Sequence, residues 1–172
     1  MPVSLYDASV GTYLQILSSV EGVLDKGREH CEANGIDLGE VVEMRLIDDM
    51  LPFRFQLISV THHSLGAIQG VEAGVFSPPT MNDLDYGGLR DMVADARKAL
   101  ADYSADTVNA LAGKEMEFRM GSRAMPFVAE DFLLTFSLPN FYFHATTTYD
   151  MLRMKGTPIG KGDFLGRMRL KR

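Results

Sequence analysis

Apolar residues recur at Tyr6, Val10, Tyr13, Leu17, Val20 and Leu24, alternately four and three apart. That spacing lays them along one stripe of an α-helix, with Ser4 and Asp7 arranged as a capping pair just ahead. The pattern predicts one long amphipathic helix over roughly the first thirty residues, closed by Gly35. Asp37 and Glu40 repeat the capping logic for a short helical segment through Val42 and Met44. Pro52, with its fixed φ and missing N–H, suits the first turn of a second long helix. Its inner stripe is Phe53, Leu57, Val60, Ser64, Ala67 and Val71. His63 lies beside that stripe, whereas His62 shares a side with Ile58 and Gln69, so the two histidines point in different directions.

From Gly70 to Asp85 the periodicity dissolves into Gly74, Ser77, Pro78, Pro79 and Asn82, which reads as a long crossing loop. Leu89, Val93, Ala96, Leu100 and Tyr103 then mark a third helix, ending near Gly113. Glu115 to Met120 alternates at period two, Gly121 and Ser122 supply a turn, and Ala124 to Phe127 answer as a short strand. Pro126 confines that strand to an edge or an end. A fourth helix is expected from Ala129 to Met154, kinked or split after Leu138 by Pro139, and stopped by Gly156 and Pro158. The expected fold is all-α: a four-helix bundle with a long connection between helices two and three and a small β-hairpin before helix four. Its 172 residues fit a single domain, 1–172.

Composition narrows the classes. Hydrophobic residues at 46% and charged residues at 23% describe an ordinary globular chain. No window approaches the roughly 18 apolar residues of a membrane span, and the amino terminus lacks the layout of a signal peptide, so a cytoplasmic protein is expected. With 17 Lys+Arg against 23 Asp+Glu the net charge is -6, which argues against nucleic-acid binding. The end of the chain departs from this balance. Lys155, Lys161, Arg167, Arg169, Lys171 and Arg172 surround a single acid, Asp163, and read as a tail that is solvated or docks on the acidic surface. Cys31 is the only cysteine, which excludes an intrachain disulfide and a cysteine-based zinc framework. Beside His30 it reads as a half-buried thiol near a helix end, not as a nucleophile.

The candidate chemistry lies elsewhere. Gly-x-Gly-x-x-Gly, P-loop, Gly-x-Ser-x-Gly and His-Glu-x-x-His signatures are all missing. The run from Leu138 to Pro158, however, carries Asn140 and His144 one helical turn apart in aromatic surroundings, and polar groups moved away from water need a partner. Spacing i, i+4 puts them roughly 5–6 Å apart at Cβ. If helices two and four face each other, His63 joins them. Imidazoles suit zinc, nickel and iron, and three protein ligands with an open position make a catalytic pattern. Asn140 is the weak donor of the three. The alternative is a closed hydrogen-bond network from His63 to His144 to Asn140, completed by Thr147 or a buried water. His62 reads as a surface or subunit-contact residue, and Phe141, Tyr142 and Phe143 as core or dimer contact. Thr147 or Thr148 follows His144 by a turn and could lend a hydroxyl. Asp48 and Asp49 read as caps of the second helix.

The histidine midway along helix two and the closing run His144-Ala-Thr-Thr-Thr-Tyr-Asp-Met-Leu-Arg-Met-Lys-Gly resemble the DinB/YfiT-like superfamily of metalloenzymes. Four blocks resemble a bacterial branch of it known only as a domain of unknown function: Ser-Leu-Tyr-Asp-Ala-Ser-Val at 4–10, Asp-Met-Leu-Pro-Phe at 49–53, Leu-Pro-Asn-Phe-Tyr-Phe-His at 138–144 and Pro-Ile-Gly-Lys-Gly-Asp-Phe-Leu-Gly at 158–166. The superfamily motif is one His in helix two and His-x-x-x-His in helix four. It maps His63 and His144 onto the first and last ligands and leaves Asn140 at the middle one. The resemblance implies a divalent metal, Zn, Ni or Fe, that activates a low-molecular-weight thiol in transferases and isomerases carrying the full triad. It also implies homodimers, which a surface rich in aromatics and drawn from 11 methionines would suit. Two expectations follow: a weak or degenerate metal site in a thiol-dependent transferase acting on an unknown small molecule, or a non-catalytic binding or scaffold bundle.

Overall fold

A computed structural model describes residues 3–170. Lys171 and Arg172 of the basic tail lie outside the described residues. Ser4 caps α1 (Leu5–Ala8), its hydroxyl accepting from the Asp7 amide at 3.1 Å. The predicted long first helix breaks at Ser9, whose hydroxyl donates to the Leu5 carbonyl at 2.6 Å, and resumes as α2 (Val10–Ala33). Competition of a serine side chain with the backbone ladder accounts for the break. Asp37 caps α3 (Leu38–Glu43) through the Gly39 amide.

Helix α4 (Phe53–Thr61) starts behind Pro52 as expected, but neither Asp48 nor Asp49 caps it; both are exposed in the preceding loop. A π-helical turn, His62–Gly66, joins α4 to α5 (Ala67–Ala73). Gly74 then takes φ +77, a left-handed conformation that stops the helix and turns the chain into β1 (Val75–Phe76). That strand falls where a plain loop was expected. After the crossing segment, Asp85 caps α6 (Tyr86–Ala101) through the Gly88 amide, and α7 (Ala105–Asn109) follows.

Strands β2 (Glu115–Met120) and β3 (Arg123–Val128) pair antiparallel, with Glu117 opposite Pro126, and β1 adds to β2 in parallel. The sheet order β1-β2-β3 leaves Pro126 on an edge strand, where its missing N–H costs no ladder bond. The last long helical run comprises α8 (Ala129–Asp131), a second π turn (Phe132–Ser137) and α9 (Leu138–Met154). The run is interrupted just ahead of Leu138 by that π turn, and Pro139 does not interrupt α9 itself. It sits at the start of α9, directly behind the widened turn. A short α10 (Lys161–Leu165) closes the described chain.

The fold is thus mostly helical with a small three-stranded sheet, not purely α. Helix α2 packs on α6 and α9, and α4 packs on α6 and α9. Tyr13, Leu17, Leu24, Phe53, Leu57, Leu89, Leu133, Phe141 and Met151 fill the space between them. Each such side chain contributes about 1.5–3 kcal/mol by leaving water. Salt bridges line the α2/α6 seam, with Arg97 on Glu21 and Arg90 on Asp25 at 3.0 Å. The basic tail docks on α1 and α2: Arg169 meets Asp7 of α1 at 3.5 Å, while on α2 Lys26 meets Asp163 at 2.6 Å and Gln15 donates to the Leu165 carbonyl at 2.8 Å. Cys31 is fully buried, not half-buried, and burial pushes its thiol pKa up.

One glycine fixes how closely α2 and α6 approach. A Cβ on Gly27 would lie 2.6 Å from Tyr86 Oη, which donates to the Leu24 carbonyl at 2.8 Å, and 3.0 Å from Leu152 Cδ1. Gly22, on the same helix, has nothing within 4 Å. Gly27→Ala is expected to destabilise by about 1–3 kcal/mol through overpacking, and Gly22→Ala to stabilise by about 0.5–1 kcal/mol. Urea unfolding of the two variants checks the opposite signs.

Candidate metal centre

The two π turns face each other. Each widens its helix by one residue, a local change found often at functional sites. Ser137 Oγ, at the end of one, donates to the His63 carbonyl in the other at 2.9 Å. This buried bond joins the turn that carries His63 to the root of α9, from which Asn140 and His144 project.

His63 and His144 do come together: their ring centroids are 6.1 Å apart with planes 12° from parallel. The surroundings are aromatic. His63 packs on Phe76 and Phe136, and His144 on Phe55 and Phe143, at centroid distances of 5.1–5.9 Å. Burial lowers the His63 pKa to about 3, helped by repulsion from His62 and His144, and burial alone lowers that of His144 to about 4. Both rings are therefore neutral at pH 7, the state in which an imidazole nitrogen can bind a cation.

The partners differ from a closed network. His144 Nδ1 lies 2.8 Å from Oε1 of Gln56, a buried residue on α4. Asn140 Nδ2 donates to the Phe136 carbonyl at 2.7 Å. The His63 Nδ1 is buried without any partner. None of the three expected residues hydrogen-bonds another. Thr147 and Thr148 spend their hydroxyls on the carbonyls of Phe143 and His144, one turn back on the same helix. His62 is not a free surface residue: it is half-buried, stacks on Phe76 at 4.2 Å and hydrogen-bonds the Ser77 carbonyl at 2.7 Å.

A divalent metal would find two neutral imidazoles here and, at best, one uncharged carboxamide oxygen. Among the described residues no three His, Cys, Asp or Glu side chains cluster to hold an ion. The donor chemistry suits a borderline cation at modest affinity, because nitrogen ligands favour zinc or nickel and no carboxylate adds charge. An orphaned buried nitrogen on His63 is the feature such an ion would satisfy. A groove of about 990 Å³ lies to one side, lined by His62, Phe76, Pro78, Met92 and Asp95 among others, but not by His63, Asn140 or His144.

Gln56 and Ser137 had drawn no attention as site residues. Gln56 precedes His63 by seven residues, about two turns back along the same helical run, and lies on the side of Phe53 and Val60. That break in an apolar stripe was the available signal.

A family model described as a domain of unknown function, DUF1993, matches residues 5–165. The chain belongs to the DUF1993 family. No curated protein matches it. The DUF1993 chain is also similar to the crystal structure of a DinB family member protein from Shewanella denitrificans. That likeness has a TM-score of 0.79 at 24% identity over 98% of this chain and 95% of the other, and at that identity it speaks for the fold alone. Among the described residues of this DUF1993 domain, no helix is long and apolar enough to cross a membrane.

Proposed function

We propose that this chain is a DinB-type four-helix bundle holding a weak divalent-cation site at His63 and His144, with Asn140 as a poor third donor. The observation that carries the reading is the buried, unpartnered Nδ1 of His63 next to a second neutral imidazole. When bound, zinc, nickel or iron would supply a Lewis acid able to lower the pKa of a thiol or a water. The protein's own part is to hold two rings uncharged in an aromatic shell and to limit solvent around them. A thiol-dependent transferase, working as a bacterial cytoplasmic homodimer, is the activity that this donor chemistry and the resemblance of the His63 and His144 motif to the DinB/YfiT-like superfamily suggest; the likeness to the DinB member supports the bundle fold alone. The competing reading, a non-catalytic binding or scaffold module, draws on the Asn140 Nδ2 being bonded to its own helical run and on the 990 Å³ groove lying elsewhere.

Calorimetric titration of untagged protein with Zn²⁺ or Ni²⁺ separates the two. About one equivalent taken up by wild type, lost in His63→Ala and His144→Ala, is expected. Asn140→His, which completes a three-imidazole set, should bind more tightly than wild type. Absence of uptake by wild type and by Asn140→His alike would sink the metal reading.

A further inference from the structure

Gln56 is buried at 2% exposure, and both ends of its carboxamide are engaged. Its Nε2 lies 2.9 Å from the Leu51 carbonyl and its Oε1 lies 2.8 Å from His144 Nδ1. A backbone carbonyl can only accept, so the amide nitrogen must face Leu51 and the amide oxygen must face His144. The reversed amide would set oxygen against oxygen. An oxygen facing His144 Nδ1 in turn requires a hydrogen on Nδ1, because two acceptors would otherwise meet in a half-buried contact.

From this chain of constraints we propose that Gln56 is a positioning residue that holds His144 as the Nδ1–H tautomer, leaving Nε2 as the only lone pair on the ring. The proposal deepens the cation reading, since a ligating histidine commonly donates its second ring N–H to an oxygen that fixes ring and tautomer. It also assigns a role to the Leu51 carbonyl. That group, at the end of the loop before α4, decides which nitrogen on α9 is free. Histidine protonation is otherwise open to either nitrogen.

Long-range ¹H–¹⁵N correlation spectra of the imidazoles in metal-free protein at pH 7 test this directly. Wild type should show His144 Nδ1 protonated and Nε2 bare. Gln56→Leu, which removes the acceptor, should move His144 toward the Nε2–H form, and Gln56→Glu, whose protonated acid donates to Leu51 and keeps an oxygen on His144, should retain Nδ1–H. Zn²⁺ affinity should fall about 10–100-fold in Gln56→Leu relative to wild type. An Nε2–H tautomer in wild type overturns the proposal, as does a spectrum of His144 identical in wild type and folded Gln56→Leu. If Gln56→Leu does not fold, the wild-type and Gln56→Glu spectra decide. Wild type with Nδ1–H and no zinc uptake would uphold the tautomer assignment while removing the metal function.

Discussion

Phe141→Ala is expected to lower the unfolding free energy by about 3–5 kcal/mol. Phe141 is fully buried in α9, and its ring meets Tyr13 of α2 edge-on at a centroid distance of 4.9 Å. Truncation opens a cavity where α2 crosses α9, and Tyr13, whose own hydroxyl already lacks a partner, cannot swing to fill it without dragging that hydroxyl along. The denaturant midpoint should fall with the slope unchanged. Phe143, two residues on, points outward at 55% exposure. Phe143→Ala should change stability by no more than about 0.5 kcal/mol in a monomer. A larger, concentration-dependent loss at Phe143 would show that a second copy covers it, as the proposed homodimer requires.

Acid should weaken the metal-free protein before its carboxylates titrate. In the unfolded chain the two imidazoles protonate near their ordinary value of 6.5, whereas in the fold His63 and His144 hold out to about 3 and about 4. Between these limits the unfolded state binds more protons, so stability rises with pH and is lost as pH falls from about 6 toward 4. Each imidazole contributes at most about 1.4 kcal/mol per pH unit in that window. Urea unfolding between pH 7 and 4.5, with EDTA present, measures the slope. His63→Gln should remove about half of the part due to His63 and His144, while His62, whose pKa burial also lowers, keeps its own share. A stability that stays flat from pH 6 to 5 would contradict the burial of two neutral rings.

What could be read before the structure was the local chemistry of each element. The Ser4 and Asp37 caps, the stripe through Phe53, Leu57 and Val60, and the edge strand carrying Pro126 all depend on residues near in sequence. What escaped depends on distant partners. Val75–Phe76 is too short to show alternation and is a strand only because β2 lies beside it. The π turns are invisible to spacing, since Ser64 and Ala67 keep their buried places on the stripe either way. The pairing of His63 with His144 was legible from spacing plus the facing of two helices. Asn140 was placed with them by the same i, i+4 rule, yet the nearer carbonyl of Phe136 claims its amide. Gln56 was missed because a lone glutamine in a helix reveals its partner only across the bundle.

The burial of Cys31 gives this protein an intrinsic clock. The thiol is sealed in α2 and its pKa is raised, so a thiol reagent can react only after the helices around it separate. Because it is the sole sulfhydryl of the chain, a single colour change counts each molecule once. At high reagent concentration the labelling rate becomes the opening rate itself, and at low concentration it reports the population of opened molecules. The frequency with which the interior breathes is thus measurable in the native sequence, with no added probe.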